Sequence, residues 1–347
     1  MESLSVIIPV YNSKDHLENC VASVIAVNDH CGAMIVSEII LVDDGSSDGS
    51  SELCDIIAKT ESTDRCKVLV VHQPNKGVSA ARNAGLQAAA GTFVLFVDSD
   101  DTVEPVKLAE LMRTVSEGDP VDMAVFGLSF DYYSGDRIYR RDIALPGIEG
   151  TVSFDECSNK LYPLFKDNAI SPLWNKLIRR SIIEKTGIRL REDMFLYEDL
   201  EFSLRLMAEC GKICFCREPI YRYRQAGDEG NAGRRLKRVA HIPEIVDKIE
   251  DALVPFGGSD DILLFLHMVL AREKISCASM EETDSVCRDF RSWIDSHRLS
   301  ERIWDNEYGM LLYNLKSRRL RIKRIKTRIR HGIAVAIKKT MGDFRKR

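Results

Sequence analysis

Short hydrophobic runs alternate with segments of helical periodicity along the first third of the chain. Four runs are rich in β-branched and aromatic residues: 4–12, 39–42, 68–71 and 93–97. Such runs are typical of strands that are buried on both faces. Between them, apolar residues recur three or four positions apart, which predicts helices. Strands and helices that alternate in this way predict parallel strands with right-handed helical crossovers, and therefore a doubly wound α/β sheet.

Polar residues follow each of these predicted strands. They are Asn12, then Asp43 and Asp44, then residues 72–76, and finally residues 98–101. Because the carboxyl ends of parallel strands meet at one edge of a sheet, we expect these groups to converge. Asp98 and Asp100 stand at alternate positions and can turn toward one hard cation, such as Mg²⁺ or Mn²⁺. The alternative is an acidic loop that caps the helix starting near Pro105.

The pattern is less regular between residues 116 and 230. An apolar run at 121–127 and the aromatic, polar stretch after it predict strands or a hairpin, and residues 154–165 predict a helix. Residues 170–176 are expected to form an ordered loop that enters a helix. Residues 225–235 contain glycines and no large apolar side chain, which favours a lid that orders when a donor binds.

Helical periodicity continues from residue 236 to about 315, and the tail after it is strongly basic. Residues 316–347 contain 14 Lys and Arg residues and one acid, which leaves 35 basic and 52 acidic residues in the rest of the chain. Six apolar residues, the first just before this tail and five within it, lie on one helical face: Leu315, Ile322, Ile325, Ile329, Ile333 and Ile337. A basic amphipathic helix suits an anionic membrane surface. A nucleic-acid tail and an oligomerisation helix are the alternatives, although the acidic body offers no basic groove for a nucleic acid.

Composition and cysteine usage narrow the class of protein. Hydrophobic residues make up 45% of the 347 residues and charged residues 29%, which is ordinary for a globular protein. The ten cysteines form no C-x-x-C pair, so we expect buried, reduced thiols. No apolar run approaches the ~18 residues of a membrane span, and the N-terminus enters a strand at once. We therefore expect a cytoplasmic protein.

Six motifs carry a resemblance to a known family. They are 6–12, 42–46, 75–77 with 81–85, 98–101, 174–177 and 198–202. In this order they resemble family 2 glycosyltransferases with the GT-A fold, over roughly residues 4–225. The dinucleotide fingerprint G-x-G-x-x-G and the P-loop are absent, so phosphates would be held by a metal and basic side chains.

The resemblance implies a division of the chain into regions. A GT-A domain with a mostly parallel sheet would span residues 1–230, its nucleotide-binding half ending at about 115 and its acceptor half following. A helical region at 236–315 and the basic tail at 316–347 would complete the chain.

The resemblance also implies a nucleotide-sugar donor. Twelve residues are assigned to it by carry-over: Pro9, Val10, Tyr11, Asn12, Asp43, Asp44, Lys76, Arg82, Asp98, Ser99, Arg222 and Arg224. Asp acceptors suit the N–H groups of a uracil-like base, and arginines suit a leaving diphosphate. Asp100, with Asp98 and Asp101, would hold Mn²⁺ or Mg²⁺ between the two phosphates. The alternative for Lys76 and Arg82 is that they are solvated residues at the start of a helix and contact no ligand.

On the acceptor side, the family's catalytic base corresponds to an acid of the Glu198-Asp199 pair, which opens a predicted helix over 200–210. An inverting transferase needs one carboxylate to take the proton from the acceptor hydroxyl. We expect Asp199 to be this base and Glu198 to be its neighbour or an acceptor contact. The alternative is that both acids only stabilise the helix, because its dipole favours negative charge in the first turn. Three further residues are assigned to the acceptor side: Trp174, Asn175 and Lys176. Packing in the core is the alternative for Trp174.

These features predict a reaction and a location. We expect an inverting, metal-dependent glycosyltransferase that moves a single sugar from a UDP-sugar to a glycan or lipid-linked acceptor in cell-surface polysaccharide synthesis. The Q-x-x-R-W motif of processive family members is absent. We expect the protein at the inner face of the membrane, bound through its tail, with oligomerisation through the C-terminal helices as a further option. A nucleotidyltransferase of similar fold and an inactive membrane scaffold are the alternatives.

Overall fold

A ten-stranded mixed sheet organises the part of the chain that carries the motifs. The computed structural model describes residues 2–29, 35–135, 137–194, 196–225, 242–277 and 280–297. The strands are β1 (Leu4–Val10), β2 (Val36–Asp43), β3 (Lys67–His72), β4 (Phe93–Phe96), β5 (Thr102–Val103), β6 (Met123–Ser134), β7 (Arg137–Ala144), β8 (Gly150–Ser153), β9 (Lys176–Arg179) and β10 (Lys212–Gln225).

The helices connect these strands and continue beyond them. They are α1 (Leu17–Ile25), α2 (Ser50–Glu61), α3 (Val78–Ala88), α4 (Pro105–Glu117), α5 (Phe154–Ser158), α6 (Leu161–Lys166), α7 (Arg180–Thr186), α8 (Glu198–Ala208), α9 (Ile242–Leu253), α10 (Asp260–Cys277) and α11 (Met280–Ser296). None of the helices in the described residues is both long and apolar enough to span a membrane.

The strand order is β3-β2-β1-β4-β9-β6-β10-β5, with β7 paired to β6 and β8 paired to β10. β3, β2, β1 and β4 run parallel, which places the loops after them at one edge of the sheet. β9 runs antiparallel between β4 and β6, and β6 pairs in parallel with β10. The predicted doubly wound, mostly parallel α/β sheet is confirmed.

Helix α3 packs very closely on β1, and this contact fixes the site residue that the helix carries. All seven residues of β1 are buried, as a strand covered on both faces requires. A Cβ added at Gly85 of α3 would lie 2.3 Å from Ile7 Cγ2, so the approach requires a glycine. Arg82 lies on the same helix, and its position over the sheet edge follows from this packing.

Residues 170–176 do not enter a helix as predicted. They lead into β9, and helix α7 begins only at Arg180. Ile178 pairs with both β4 and β6, so this short strand fills the space between them. The sequence is ambiguous here because a short apolar run can be buried equally well in a helix or a strand. The predicted hairpin after residue 121 is confirmed as β6 and β7.

The chain divides into two compact units, residues 1–229 with 251–258 and residues 230–250 with 259–347. Six cysteines of the first unit are buried thiols, in agreement with the prediction: Cys20, Cys54, Cys66, Cys157, Cys210 and Cys214. In the second unit, α10 and α11 share a small apolar core: Leu264, Met268, Ala271, Cys287, Phe290 and Ile294.

Two predicted segments fall on residues that the structure does not describe. The basic tail at 316–347 lies outside the described residues, as does the predicted lid at 225–235 except for Gln225. Both remain predictions.

Candidate active site

The acidic loop after β4 is held in place by a tyrosine of β10. Tyr221 Oη accepts the Asp98 backbone N–H at 3.0 Å and donates to Asp101 Oδ2 at 2.6 Å. The other oxygen of Asp101 accepts the Arg224 N–H at 2.6 Å. Burial and the neighbouring carboxylates raise the pKa of Asp101 to about 9. Asp101 therefore fixes the loop to β10, and metal binding by this residue remains a prediction.

Asp98 and Asp100 offer carboxylate oxygens at the open side of the loop. Asp100 is exposed, and among the described residues only its own backbone N–H bonds to its carboxylate. Desolvation in the cleft and the charge of Asp98 raise the pKa of Asp100. Two carboxylates that repel each other fit a divalent cation, which would relieve the repulsion. In the described part of the chain no group of three or more His, Cys, Asp or Glu is arranged to hold a metal, so water or substrate would have to supply the other ligands.

Arg82 connects this loop to a distant part of the sequence. Its guanidinium is buried and bonds to Asp98 Oδ1 at 2.8 Å and to Asp199 Oδ1 at 2.7 Å. Burial lowers the pKa of Arg82, but the two carboxylates outweigh burial and raise it. The guanidinium therefore stays charged and holds together two acids that lie about a hundred residues apart in sequence. The Arg82 guanidinium is thus paired with two carboxylates, and its direct contact with a donor remains a prediction.

Glu198 and Asp199 form the first turn of α8, directly after Tyr197, whose φ is +61°. Acids are stabilised at this end of a helix by its dipole. Burial raises the pKa of Asp199, although Arg82 opposes the shift. Burial and the charge of Asp199 raise the pKa of Glu198 to about 7. Carboxylates with pKa values raised toward neutrality are suited to accept a proton during a reaction.

The three residues predicted on the acceptor side lie beneath the site. Asn175 and Lys176 are fully buried, and Trp174 is 8% exposed. Trp174 stacks on Tyr221, with ring centroids 4.4 Å apart, and on Tyr223 at 5.3 Å. Trp174 thus packs in the core, which was the alternative role, and direct acceptor contact by these side chains remains a prediction that their burial does not support.

Asp43 at the end of β2 and Asp44 directly after it hold neighbouring loops in place on the predicted nucleotide side. Asp44 Oδ1 accepts hydrogen bonds from Gln73 Nε2 at 2.7 Å and from the Lys76 backbone N–H at 2.8 Å, while Oδ2 accepts the Gly77 N–H at 2.8 Å. Asp43 Oδ1 accepts the Ser46 N–H at 3.0 Å. Both carboxylates are buried, so they hold the loops after β2 and β3 in place through these hydrogen bonds.

His72 and Gln73, which bind these two acids, were noted in the sequence only as part of a polar stretch. His72 Nδ1 lies 3.1 Å from Asp43 Oδ2. The pairing depends on β2 and β3 being neighbours, which only the fold reveals.

Four further predicted residues lie along the same edge. Pro9 and Val10 are buried in β1, whereas Tyr11 is 52% exposed, and its contact with a donor remains a prediction. Asn12 has a φ of +51°, and its Oδ1 accepts the Ser47 N–H at 2.8 Å.

A cleft of about 410 Å³ opens beside Asp100, and its wall carries both predicted arginines. Arg222 is paired with Glu104, and the Arg224 guanidinium lies 3.9 Å from the ring centroid of Tyr133. Two other predicted donor contacts lie apart from this wall. The Lys76 side chain is exposed, and the buried Ser99 Oγ donates to Ser13 Oγ at 2.6 Å.

Known proteins resemble the chain over most of its length. Residues 5–187 match the family model for glycosyl transferase family 2. The Bacillus subtilis protein EpsH is 31% identical over 224 residues, which are 64% of this chain and 60% of EpsH. Glycosyltransferase GlyG of Streptococcus pneumoniae serotype 4 is 27% identical over 324 residues, covering 91% of this chain and 95% of GlyG. The chain thus spans about 60% of the length of relatives such as EpsH.

Solved structures agree with the fold. The S. aureus protein TarS, residues 1–349 in complex with UDP, matches 87% of this chain and 82% of that chain, with a TM-score of 0.57 and 18% identity. At this identity the likeness concerns the fold. The family match, by contrast, covers more than half of the sequence and includes the loops after β1, β2 and β4. The chain therefore belongs to glycosyl transferase family 2.

Proposed function

We propose that the protein is an inverting glycosyltransferase that moves one sugar from a UDP-sugar to a glycan or lipid-linked acceptor. The observation that carries the proposal is the Arg82 bridge, which brings Asp98 of the donor-side loop and Asp199 of α8 to one guanidinium. A donor-side acid and a candidate base must lie this close if one cleft is to bind a nucleotide sugar and deprotonate its acceptor.

In the proposed reaction, Asp199 takes the proton from an acceptor hydroxyl. The oxygen of that hydroxyl forms a bond to the anomeric carbon from the face opposite the nucleotide. The bond between the anomeric carbon and the diphosphate oxygen breaks, its electron pair leaves with UDP, and the configuration inverts. The raised pKa of Asp199 supports this role, because a more basic carboxylate drives the proton transfer better.

Donor recognition is assigned to the edge formed by β1, β2 and β4. The UDP complex of TarS supports a uridine donor, since the same fold there holds that nucleotide. Asp98 and Asp100 would hold Mn²⁺ or Mg²⁺, which would neutralise charge on the diphosphate. Arg222 and Arg224 line the cleft beside Asp100 and would attract the leaving group.

The acceptor and location are proposed from the family and the charge pattern. A cell-surface glycan is the acceptor class that we propose, because the minor teichoic acid biosynthesis protein GgaA of Bacillus subtilis is 34% identical over 135 residues, which are 38% of this chain. The tail at 316–347 would attach the protein to an anionic membrane surface. Liposome pelleting with and without these residues tests this attachment, and equal binding by both forms excludes it.

The donor class is tested by thermal unfolding with UDP, GDP, CDP, ADP and dTDP, each with and without Mn²⁺. A ligand at about 100 times its Kd stabilises the fold by ~2.7 kcal/mol, so binding is visible as a shift in Tm. We expect a shift with UDP that requires the metal. A shift with another nucleotide would reassign the donor, and no shift would favour the scaffold alternative.

The base is tested by Asp199→Asn, with UDP-sugar turnover as the measurement. We expect kcat to fall by ~10²–10⁴-fold, because the amide cannot accept the proton. UDP binding should persist, because the amide oxygen can still accept from Arg82. Glu198→Gln serves as the matched control on the same turn and should lose less. A nucleotidyltransferase would instead release pyrophosphate from a nucleoside triphosphate. A pyrophosphate assay of the same proteins with a nucleoside triphosphate tests this alternative.

A further inference from the structure

A buried lysine lies behind the proposed base and has no role in the reaction described above. Lys176 is fully buried at the start of β9. Its Nζ donates to the backbone oxygen of Pro172 and to Asn175 Oδ1, the latter at 2.9 Å. Burial lowers the pKa of this ammonium to about 7, and the charge of Asp199 opposes the shift. A buried ammonium is unfavourable unless neighbouring groups compensate it, so its position calls for a cause.

The segment that Lys176 holds together contacts Asp199 directly. The backbone N–H of Leu173 donates a hydrogen bond to the Asp199 carboxylate. Lys176 binds acceptors at Pro172 and Asn175, one on each side of Leu173, and so closes this part of the chain into a compact turn. The orientation of the Leu173 N–H therefore depends on the lysine.

The same segment also supports the acidic loop after β4. Trp174 stacks on Tyr221 with ring centroids 4.4 Å apart. Tyr221 Oη in turn bonds to the Asp101 carboxylate and to the Asp98 N–H. Residues 172–176 are thus connected to the base through one contact and to the donor-side acids through another.

We propose that residues 172–176 are a positioning platform for the reaction and that Lys176 acts through Asp199. Leu173 orients the carboxylate, while Lys176 fixes the turn and provides a positive charge on the protein side of Asp199. Arg82 provides a second positive charge at Asp199 Oδ1. Two cations favour the ionised carboxylate, which is the form that accepts a proton. The inference rests on the proposed function, because it takes Asp199 as the base.

Other charged groups around the pair come from several elements. Asp199 is faced by four titratable groups besides the lysine: Arg82 of α3, Asp98 after β4, Glu198 of α8 and Tyr223 of β10. Lys176 is faced by Asp199 and by the Cys157 thiol of α5. Substitution of the lysine leaves these groups in place, so a change in the pKa of Asp199 reports the loss of the lysine, both of its charge and of the turn that orients the Leu173 N–H.

The test compares Lys176→Met and Lys176→Gln with Lys185→Met, the same chemical change at an exposed position of α7. The Gln variant keeps a hydrogen-bond donor but not the charge, and it carries the test if the Met variant does not fold. We expect both Lys176 variants to move the acidic limb of the kcat/KM profile upward by about one pH unit. UDP binding should change by less than about twofold, and Lys185→Met should match the wild type.

A second readout decides the proposal without turnover. The Asp199 carboxyl is titrated by ¹³C NMR, with its signal assigned from Asp199→Asn, and its pKa should rise in both Lys176 variants. Variants that fold and keep the wild-type pKa and the wild-type pH profile would overturn the platform role. If the wild-type protein turns over no UDP-sugar, the proposed function fails, whereas the carboxyl titration still decides whether Lys176 acts on Asp199.

Discussion

The acids after β2 and the acids after β4 look alike in sequence, yet their carboxylates have different surroundings. Asp44 is buried and accepts three hydrogen bonds from the loop after β3. Asp100 is exposed, and its carboxylate is bonded only by its own backbone N–H among the described residues. Asp44 accepts hydrogen bonds from the protein, whereas the carboxylate oxygens of Asp100 are available to a ligand.

The difference separates acids that hold loops of the protein in place from acids that are available to a ligand. Hydrogen bonds to a buried carboxylate stabilise its charge and fix the loop that donates them. An exposed carboxylate beside other acids is instead destabilised by repulsion, which a bound cation would reverse. Asp101 combines both features, because it bonds to Tyr221 and lies close enough to Asp98 and Asp100 for their charges to raise its pKa.

The largest effect is expected from Asp100→Asn. We expect turnover of a UDP-sugar to fall by ~10²–10³-fold, because the charge that would hold the cation is lost. The unfolding free energy without metal should stay equal or rise, since repulsion with Asp98 is removed. Turnover assays and urea unfolding measure the two quantities. Asp64→Asn, an exposed acid far from the site in sequence, is the control for both. Metal-dependent UDP stabilisation that survives in Asp100→Asn would contradict the assignment.

A smaller effect with the opposite pattern is expected from Asp44→Asn. The amide cannot accept all three hydrogen bonds, and its NH₂ group would face a backbone N–H of Lys76 or Gly77. We expect unfolding in urea to become easier by about 2–3 kcal/mol, with nucleotide affinity lowered as a consequence. If stability is unchanged while affinity falls, Asp44 contacts the nucleotide directly and the comparison with Asp100 weakens.

The parallel half of the sheet could be predicted because its signals are local. The runs that became β1 and β4 are almost entirely apolar and rich in β-branched or aromatic residues, as is typical of a strand covered on both faces. The roles of Asp98 and Asp199 were expected from the family motifs rather than from the residues. Their bridging by Arg82 was not expected, because a basic residue at a helix start gives no sign of its partners.

The acceptor half was harder to predict because some of its polar side chains are buried, although polar residues usually lie at the surface. Asn175 and Lys176 have polar side chains, yet both are fully buried, so their residue types favoured a surface role that the fold does not give them. Tyr221 was assigned no function, although its hydroxyl holds the acidic loop. Its contacts depend on the pairing of β10 with β5, which has no signature in the local sequence.

The smallest effect concerns His72, which lies between Asp43 at 3.1 Å and Asp55 at 3.3 Å. The hydrogen bond to Asp43 raises the pKa of His72 above its ordinary value of 6.5, and Asp55 adds to the shift. The protonated imidazole is therefore stabilised in the folded state. Its contribution is fully present below pH 6.5 and is lost as the pH rises through the raised pKa.

Urea unfolding between pH 5.5 and 8.5 measures this contribution as the difference between the wild type and His72→Gln. The wild type should lose stability relative to the variant as the pH rises above 6.5. The loss should be less than ~1 kcal/mol, because His72 is partly exposed and water screens the pair. If the difference between the two proteins does not depend on pH, the folded state does not stabilise the imidazole as a cation.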